Sequence, residues 1–510
     1  MFFSQWSCAL NRLTEKQLQT LLLQKNLAKQ TVPEVSLTTA LAAAFKTMIQ
    51  QGEFITGQRL PASRALAASL QLSRGTIENC YTALETEGYV CREVGRGSFV
   101  AQRQQPLLGL ISEHSAAPSG SQVTLSRRSS HNGRPESGNL PQQRAFGPGM
   151  PETRNFPIHT WLRLYQQTVK EEGLSISAGS NLQGNIHLRE AICDFLLAER
   201  GVKAQADRIL IVSSTQQSLS LCAQVLADAG DSVFIENPGY TGAIKAFQAA
   251  QLKPIPIAVD EQGICTDEII RSQANARFVY VTPSNQYPTG LALSLARRLA
   301  LIEAAKVRDM WIIEDDYDSE FHYQGIATAC LQGLDPHQRT IYMGTFSKTL
   351  FPDLHVAYMV LPEALVKPMT IARANTDSQV SGIAQRTLAK FIMQGHYREH
   401  VLTMKKIYSS RAALFINEIN KHCGLKVKVI VPNCGLQILC LAESKQLEQE
   451  VAHRAAQYNL TLKSLSEFCT ADIPLSGWLL GFAALDPIEI AYNVEHFSQL
   501  LTRCLNEMDT

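Results

Sequence analysis

The chain has 510 residues, more than one hydrophobic core usually holds, so at least two domains are expected. At 45% hydrophobic and 18% charged it reads as globular, which excludes a disordered, fibrous or wholly coiled-coil protein. A formal charge of +1 supplies no global field for nucleic acid or membrane, so a DNA-binding argument rests on a local motif. No apolar run reaches the roughly eighteen residues of a membrane span, and the start lacks the layout of a secretion signal. The twelve cysteines are scattered from Cys8 to Cys504 without a CxxC pair, which excludes a zinc ribbon and suits a reducing cytoplasm.

Residues 1–33 look helical over 15–29 and match no assignable element. A small domain follows over 34–101. Leu41, Ala44, Phe45, Met48 and Ile49 recur at helical spacing within 37–51, and Gly52 and Gly57 then break the chain. Ser63 is placed to cap a second helix ending near Leu70, and Ser73 a third running to about Glu87. Leu66 and Leu70 face Ile77, Tyr81 and Leu84, and the short link at 71–72 suits a helix-turn-helix. Residues 89–101 read as a hairpin around Gly-Arg-Gly, completing a winged helix-turn-helix.

Ser73, Arg74 and Thr76 stand at the start of the third helix, where side chains enter a major groove first. An arginine there can bond guanine in bidentate fashion, worth about 1–3 kcal/mol of discrimination. Arg64 and Arg96 suit phosphate or minor-groove contacts. Glu78, Glu85, Glu87 and Glu93 offset the arginines, so a winged helix used for protein contacts is the alternative. Segments 59–77, 84–90 and 95–100 together resemble the GntR-type winged helix. The resemblance implies that Arg64, Ser73, Arg74, Thr76, Arg96 and Gly97 face DNA.

Residues 102–145 are rich in Ser, Gly, Pro, Gln and Arg and read as a flexible basic linker. Strand and helix signals alternate over 146–510. Thr-Phe-Ser-Lys at 345–348 ends an apolar strand, an arrangement that suits a phosphate-bearing aldehyde cofactor. Lys348 would form a Schiff base while the Thr345 and Ser347 hydroxyls donate to phosphate; a lone lysine is otherwise a surface charge. The strand ending in Glu-Asp-Asp-Tyr at 314–317 offers Asp315 to a pyridinium nitrogen and Tyr317 to the ring hydroxyl. That acidic run alternatively suggests a metal site or a solvated turn. N–H groups around Ser214, Thr215 and Gln216 at a helix start form a phosphate cradle, and Tyr240 can stack on a planar ring.

These pieces, in this order, resemble the fold-type I aminotransferases, and with the winged helix the whole resembles a MocR/GabR-type regulator. The resemblance implies an α/β domain with a mainly parallel sheet and pyridoxal phosphate on Lys348, held by Asp315, Tyr317 and Tyr240. It also implies head-to-tail homodimers bound to double-stranded DNA. Three positions depart from the family pattern. His355, beside Asp353, replaces the arginine that clamps the cofactor phosphate, while Gly242 and Ala484 replace two arginines that grip a ligand carboxylate. The expected protein is therefore a regulator that senses a small amine, an amino acid or pyridoxal phosphate itself. A working aminotransferase and a regulator with a degenerate cofactor site are the alternatives.

Overall fold

A computed structural model describes residues 36–102, 145–173, 181–323, 329–377 and 379–508. The expected N-terminal extension and nearly all of the expected linker lie outside them. The chain divides into two compact units, Met1–Val123 and Thr124–Thr510.

The small unit holds helices α1 (Leu37–Gln50), α2 (Ser63–Leu70) and α3 (Arg74–Thr86) and a hairpin of β1 (Val90–Glu93) and β2 (Gly97–Val100). Its core is the stripe set read from the sequence: Leu41, Phe45, Leu66, Leu70, Ile77, Tyr81 and Leu84 are all buried. Each such side chain contributes about 1.5–3 kcal/mol, enough together to hold three short helices that propensity alone would not. Gln71 adopts a left-handed backbone, φ 53°, which stops α2 and swings the chain into α3. Ser73 caps α3, its Oγ accepting the Thr76 N–H at 3.1 Å. Ser63 differs from expectation. It is the first residue of α2 rather than its cap, and its hydroxyl donates to Glu78 Oε1 at 2.5 Å on α3. An interhelical acceptor competes for the hydroxyl and wins.

The large unit is built on an eight-stranded sheet. Its strands are β3 (Ile209–Val212), β4 (Ser232–Asn237), β5 (Lys253–Asp260), β6 (Gly263–Ile264), β7 (Ala276–Val281), β8 (Trp311–Asp316), β9 (Thr340–Thr345) and β10 (Ala357–Val360). They lie in the order β3-β10-β9-β8-β7-β4-β5-β6. The central run from β9 to β5 is parallel, and β10 and β6 are antiparallel to their neighbours. Strands buried on both faces require continuous apolar sequence, which Ile-Leu-Ile-Val of β3 and Phe-Val-Tyr-Val of β7 provide. A second, antiparallel sheet joins β11 (Lys428–Ile430), β12 (Gln437–Ala442), β13 (Lys463–Ser464) and β14 (Ser476–Gly481) in the order β11-β12-β14-β13. Helices His396–Cys423 and Pro487–Met508 share its core, with Phe415 and Phe497 fully buried.

Ala145, placed in the linker by composition, belongs to this core. Its carbonyl accepts from Thr461 N–H at 2.8 Å, and Phe146 beside it is 1% exposed, edge-on to Phe415.

Candidate functional site

The carboxyl ends of parallel strands leave a crevice where side chains from neighbouring strands converge, the usual ligand position in such sheets. Here β7, β8 and β9 bring Tyr280, Asp315 and Thr345 to one cavity, and the turn after β9 adds Lys348.

Side-chain alternation along β8 sorts its three consecutive acids. Glu314 accepts the Leu331 and Gln332 N–H groups at 2.8 and 2.9 Å, and Asp316 pairs with Arg200 at 2.7 Å and accepts from Tyr342 Oη at 2.6 Å. Asp315 faces the cavity. Its Oδ2 accepts from Tyr280 Oη at 2.7 Å, while its Oδ1 is buried without a partner. Burial pushes this carboxyl up to about 7, the Tyr280 hydroxyl working in the opposite sense.

Lys348 Nζ donates to the Gly149 carbonyl at 2.7 Å. Burial holds the amine below the usual lysine range, although Asp318 and Asp315 pull it upward. Gly149 is required twice over. Its φ is +71°, and a Cβ there would sit 2.9 Å from Lys348 Nζ.

Tyr317 lines the cavity and donates its hydroxyl to the Asn285 carbonyl at 3.0 Å. Tyr240 also lines it, edge-on to Tyr287 with ring centroids 5.6 Å apart. Ser214 caps helix Thr215–Leu226 by accepting the Gln217 N–H at 3.2 Å, so the N–H groups of Thr215 and Gln216 remain without intrahelical acceptors. Thr215 and Thr345 line the cavity, and Thr345 Oγ1 also accepts the Ser347 N–H at 3.2 Å. Gln216 is exposed and turns its side chain to the Gly242 carbonyl at 3.0 Å. His355 is exposed with a left-handed backbone, φ 49°, and neither it nor Ser347 is part of the cavity lining. Gly242 lies under Tyr240, where a Cβ would meet the phenol ring at 2.4 Å.

Of the eight cavity residues that escaped the sequence reading, four bear on the chemistry. Tyr280 fixes Asp315, Asp318 and Gln437 place buried acceptors at the lining, and Gly149 receives the lysine. The apolar run of β7 marks Tyr280 as a strand residue; no local signal ties the other three to Lys348.

A pyridine-ring aldehyde bearing phosphate suits these residues. The orphaned Asp315 Oδ1 is a free acceptor for a ring N–H, and the amine of depressed basicity is the matching nucleophile. The open helix end with Thr215 and Thr345 suits a phosphate. Among the described residues no group of three or more His, Cys, Asp or Glu side chains is placed to hold a metal.

In the small unit the acids judged to offset the arginines are already engaged. Arg92 binds Glu78 and Glu85 at 3.4 and 3.3 Å, Lys46 binds Glu87 at 2.5 Å, and Arg96 binds Glu93 at 2.5 Å. Arg74 projects from the start of α3 with 56% of its side chain exposed, restrained only by Glu78 at 3.7 Å. Arg64 is exposed on α2, and Arg96 is 75% exposed on the hairpin. The Ser73 and Thr76 hydroxyls bond each other at 2.8 Å. Gly97, at φ +118°, admits the Arg59 guanidinium, whose Nε would lie 2.9 Å from a Cβ.

Both units have relatives among known proteins. Residues 37–100 match the family described as bacterial regulatory proteins, gntR family, and residues 151–469 match aminotransferase class I and II. Over 455 residues the chain is 32% identical to the probable rhizopine catabolism regulatory protein MocR of Rhizobium meliloti, spanning 89% of this chain and 91% of that one. The chain belongs to the MocR-type transcriptional regulators. Another MocR-type relative, the pyridoxine biosynthesis transcriptional regulator PdxR of Corynebacterium glutamicum, is 27% identical over 88% of this chain and 93% of its own. Among solved structures, the α-aminoadipate aminotransferase LysN of Thermus thermophilus, complexed with N-(5'-phosphopyridoxyl)-L-leucine, superposes with a TM-score of 0.66 at 25% identity. That match covers 71% of this chain and 93% of LysN. The MocR-type chain thus joins a GntR DNA-binding domain to a domain of a pyridoxal-phosphate-dependent family. No helix among the described residues is long and apolar enough to cross a membrane.

Proposed function

We propose that this regulator binds pyridoxal phosphate at Lys348 and uses it to sense a small molecule that changes its grip on DNA. The observation carrying this reading is the buried, partnerless Asp315 Oδ1 in the cavity that also encloses the Lys348 amine. When bound, the cofactor supplies an aldehyde carbon that captures amines reversibly and a ring that withdraws electrons. Asp315 would accept the ring N–H, Tyr317 would face the ring oxygen, and Tyr240 would cover the ring. Thr215, Thr345 and the Thr215–Leu226 helix start would receive the phosphate. Depressed basicity keeps more of the Lys348 amine unprotonated, and the Gly149 carbonyl orients it. His355 in place of an arginine weakens the phosphate clamp, since a charge-assisted bond contributes about 1.5–3 kcal/mol.

On the DNA side Arg74 reads bases in the major groove, while Arg64 and Arg96 meet the phosphates or the minor groove. The family resemblance implies a head-to-tail homodimer, which would present two winged helices to paired half-sites. Ile158, Leu162, Tyr165 and Val169 support self-association: they form one face of helix Ile158–Glu172 and are 37–48% exposed. Footprinting a promoter with and without cofactor tests the reading. A shift in affinity or footprint is expected; identical footprints and affinities would refute sensing.

A further inference from the structure

The cavity lining carries one amine, Lys348, and two carboxyl groups, Asp315 and Asp318, with no arginine or histidine among its residues. The arginines near Ala484 are committed elsewhere. Arg154 bonds Glu152 Oε2 at 2.8 Å and the Ala484 carbonyl at 2.6 Å, and Arg411 pairs with Glu152 at 2.9 Å. Glu152 is 2% exposed and takes both guanidinium groups, so each arginine is already held by a buried carboxylate. Among the described residues, a ligand carboxylate would therefore find no free arginine in the cavity to receive it.

The unmet demand in the lining is of the opposite kind. Asp318 is 1% exposed, and its Oδ1 accepts from Asn285 Nδ2 at 2.8 Å while its Oδ2 has no partner. Gln437, 6% exposed, likewise has a buried Oε1 with no donor. Both line the cavity: Asp318 Oδ2 lies against Gly435, and Gln437 Oε1 lies toward Gly149, where Lys348 Nζ also sits. Leaving buried acceptors unpaired is costly, and a ligand that donates to them recovers that cost on binding.

We propose that the sensed ligand is an organic ammonium ion without a carboxylate, its N–H groups received by Asp318 Oδ2 and the Gln437 carboxamide. This rests on the preceding assignment of Asp315 to the cofactor, which leaves Asp318 as the uncompensated acid. Burial pushes the Asp318 carboxyl up to about 8, so near neutral pH an ammonium ion that binds there takes the place of a proton.

The test uses full-length protein loaded with pyridoxal phosphate and three probes differing only at one end: propylamine, 1,3-diaminopropane and 3-aminopropanoate. Calorimetric binding and the cofactor absorption band are both read. The two amines should bind at least tenfold more tightly than 3-aminopropanoate, and Asp318→Asn should weaken amine binding by about tenfold or more. Equal or tighter binding of 3-aminopropanoate, or wild-type amine affinity in Asp318→Asn, would overturn the proposal. If Asp318→Asn does not fold, Gln437→Leu replaces it, with weakened amine binding expected and unchanged binding overturning the proposal. Protein that takes up no cofactor contradicts the cofactor assignment instead. Propylamine titration of that cofactor-free protein still decides the ammonium site, with Asp318-dependent binding supporting it and Asp318-independent or absent binding refuting it.

Discussion

Replacing Asp315 with Asn should move stability and cofactor affinity in opposite directions. The ordinary carboxyl at 3.8 is raised to about 7 in the folded chain, so the native state holds a proton that the unfolded chain releases. Between these values the native state binds more protons, and stability falls as pH rises. At 1.36 kcal/mol per unit, the penalty is about 1.7 kcal/mol at pH 5 and about 4.3 kcal/mol at pH 8. Asn carries no such penalty. Whatever constant cost its amide brings beside Tyr280, the stability difference between variant and parent should shift by about 2.6 kcal/mol in favour of Asn from pH 5 to pH 8. In thermal unfolding of cofactor-free protein that is a relative gain of a few degrees. The same variant loses a charge-assisted bond to the ring nitrogen, so pyridoxal phosphate should bind about tenfold to a hundredfold more weakly by absorbance titration. Parallel pH curves for the two proteins, with equal cofactor affinity, would refute the reasoning.

Arg74→Ala should abolish sequence-specific binding in a mobility-shift assay, whereas Arg96→Ala should weaken binding evenly across sequences; full specificity in Arg74→Ala would displace α3 as the reading helix. Gly97→Ala forces a side chain into φ +118° against Arg59, and should destabilise the small unit by about 1–3 kcal/mol, read as a lower unfolding midpoint. His355→Arg should tighten pyridoxal phosphate by about tenfold through a restored guanidinium–phosphate contact, measured by equilibrium dialysis. Leu162→Glu should shift the protein toward monomer in sedimentation, because it places a charge in the apolar face of helix Ile158–Glu172.

The small domain was legible almost in full because its signals are local. The α1–α3 stripes repeat at helical spacing, and the Ser73 cap and the hairpin turn sit beside the elements they define. Ser63 was misread because its true partner, Glu78, lies fifteen residues away on another helix, beyond any capping rule. In the large domain, strand ends next to chemistry-bearing residues pointed to Lys348, Asp315 and Tyr317. What sequence could not assign was the division of labour within Glu314-Asp315-Asp316. That division depends on which face of β8 meets Arg200 and which meets Tyr280. Gly149 reaches the lysine, and Gln437 the cavity, only through tertiary packing, 199 residues separating Gly149 from Lys348. Ala145 was lost to the linker because an alanine carries no compositional signal of burial.

The most direct measurement is borohydride reduction of the full-length protein after incubation with pyridoxal phosphate, followed by peptide mass mapping. A phosphopyridoxyl group on the peptide containing Lys348, absent from Lys348→Ala, is the predicted result. A modification on other lysines alone, or none in either protein, would contradict a cofactor pocket at the ends of β7, β8 and β9.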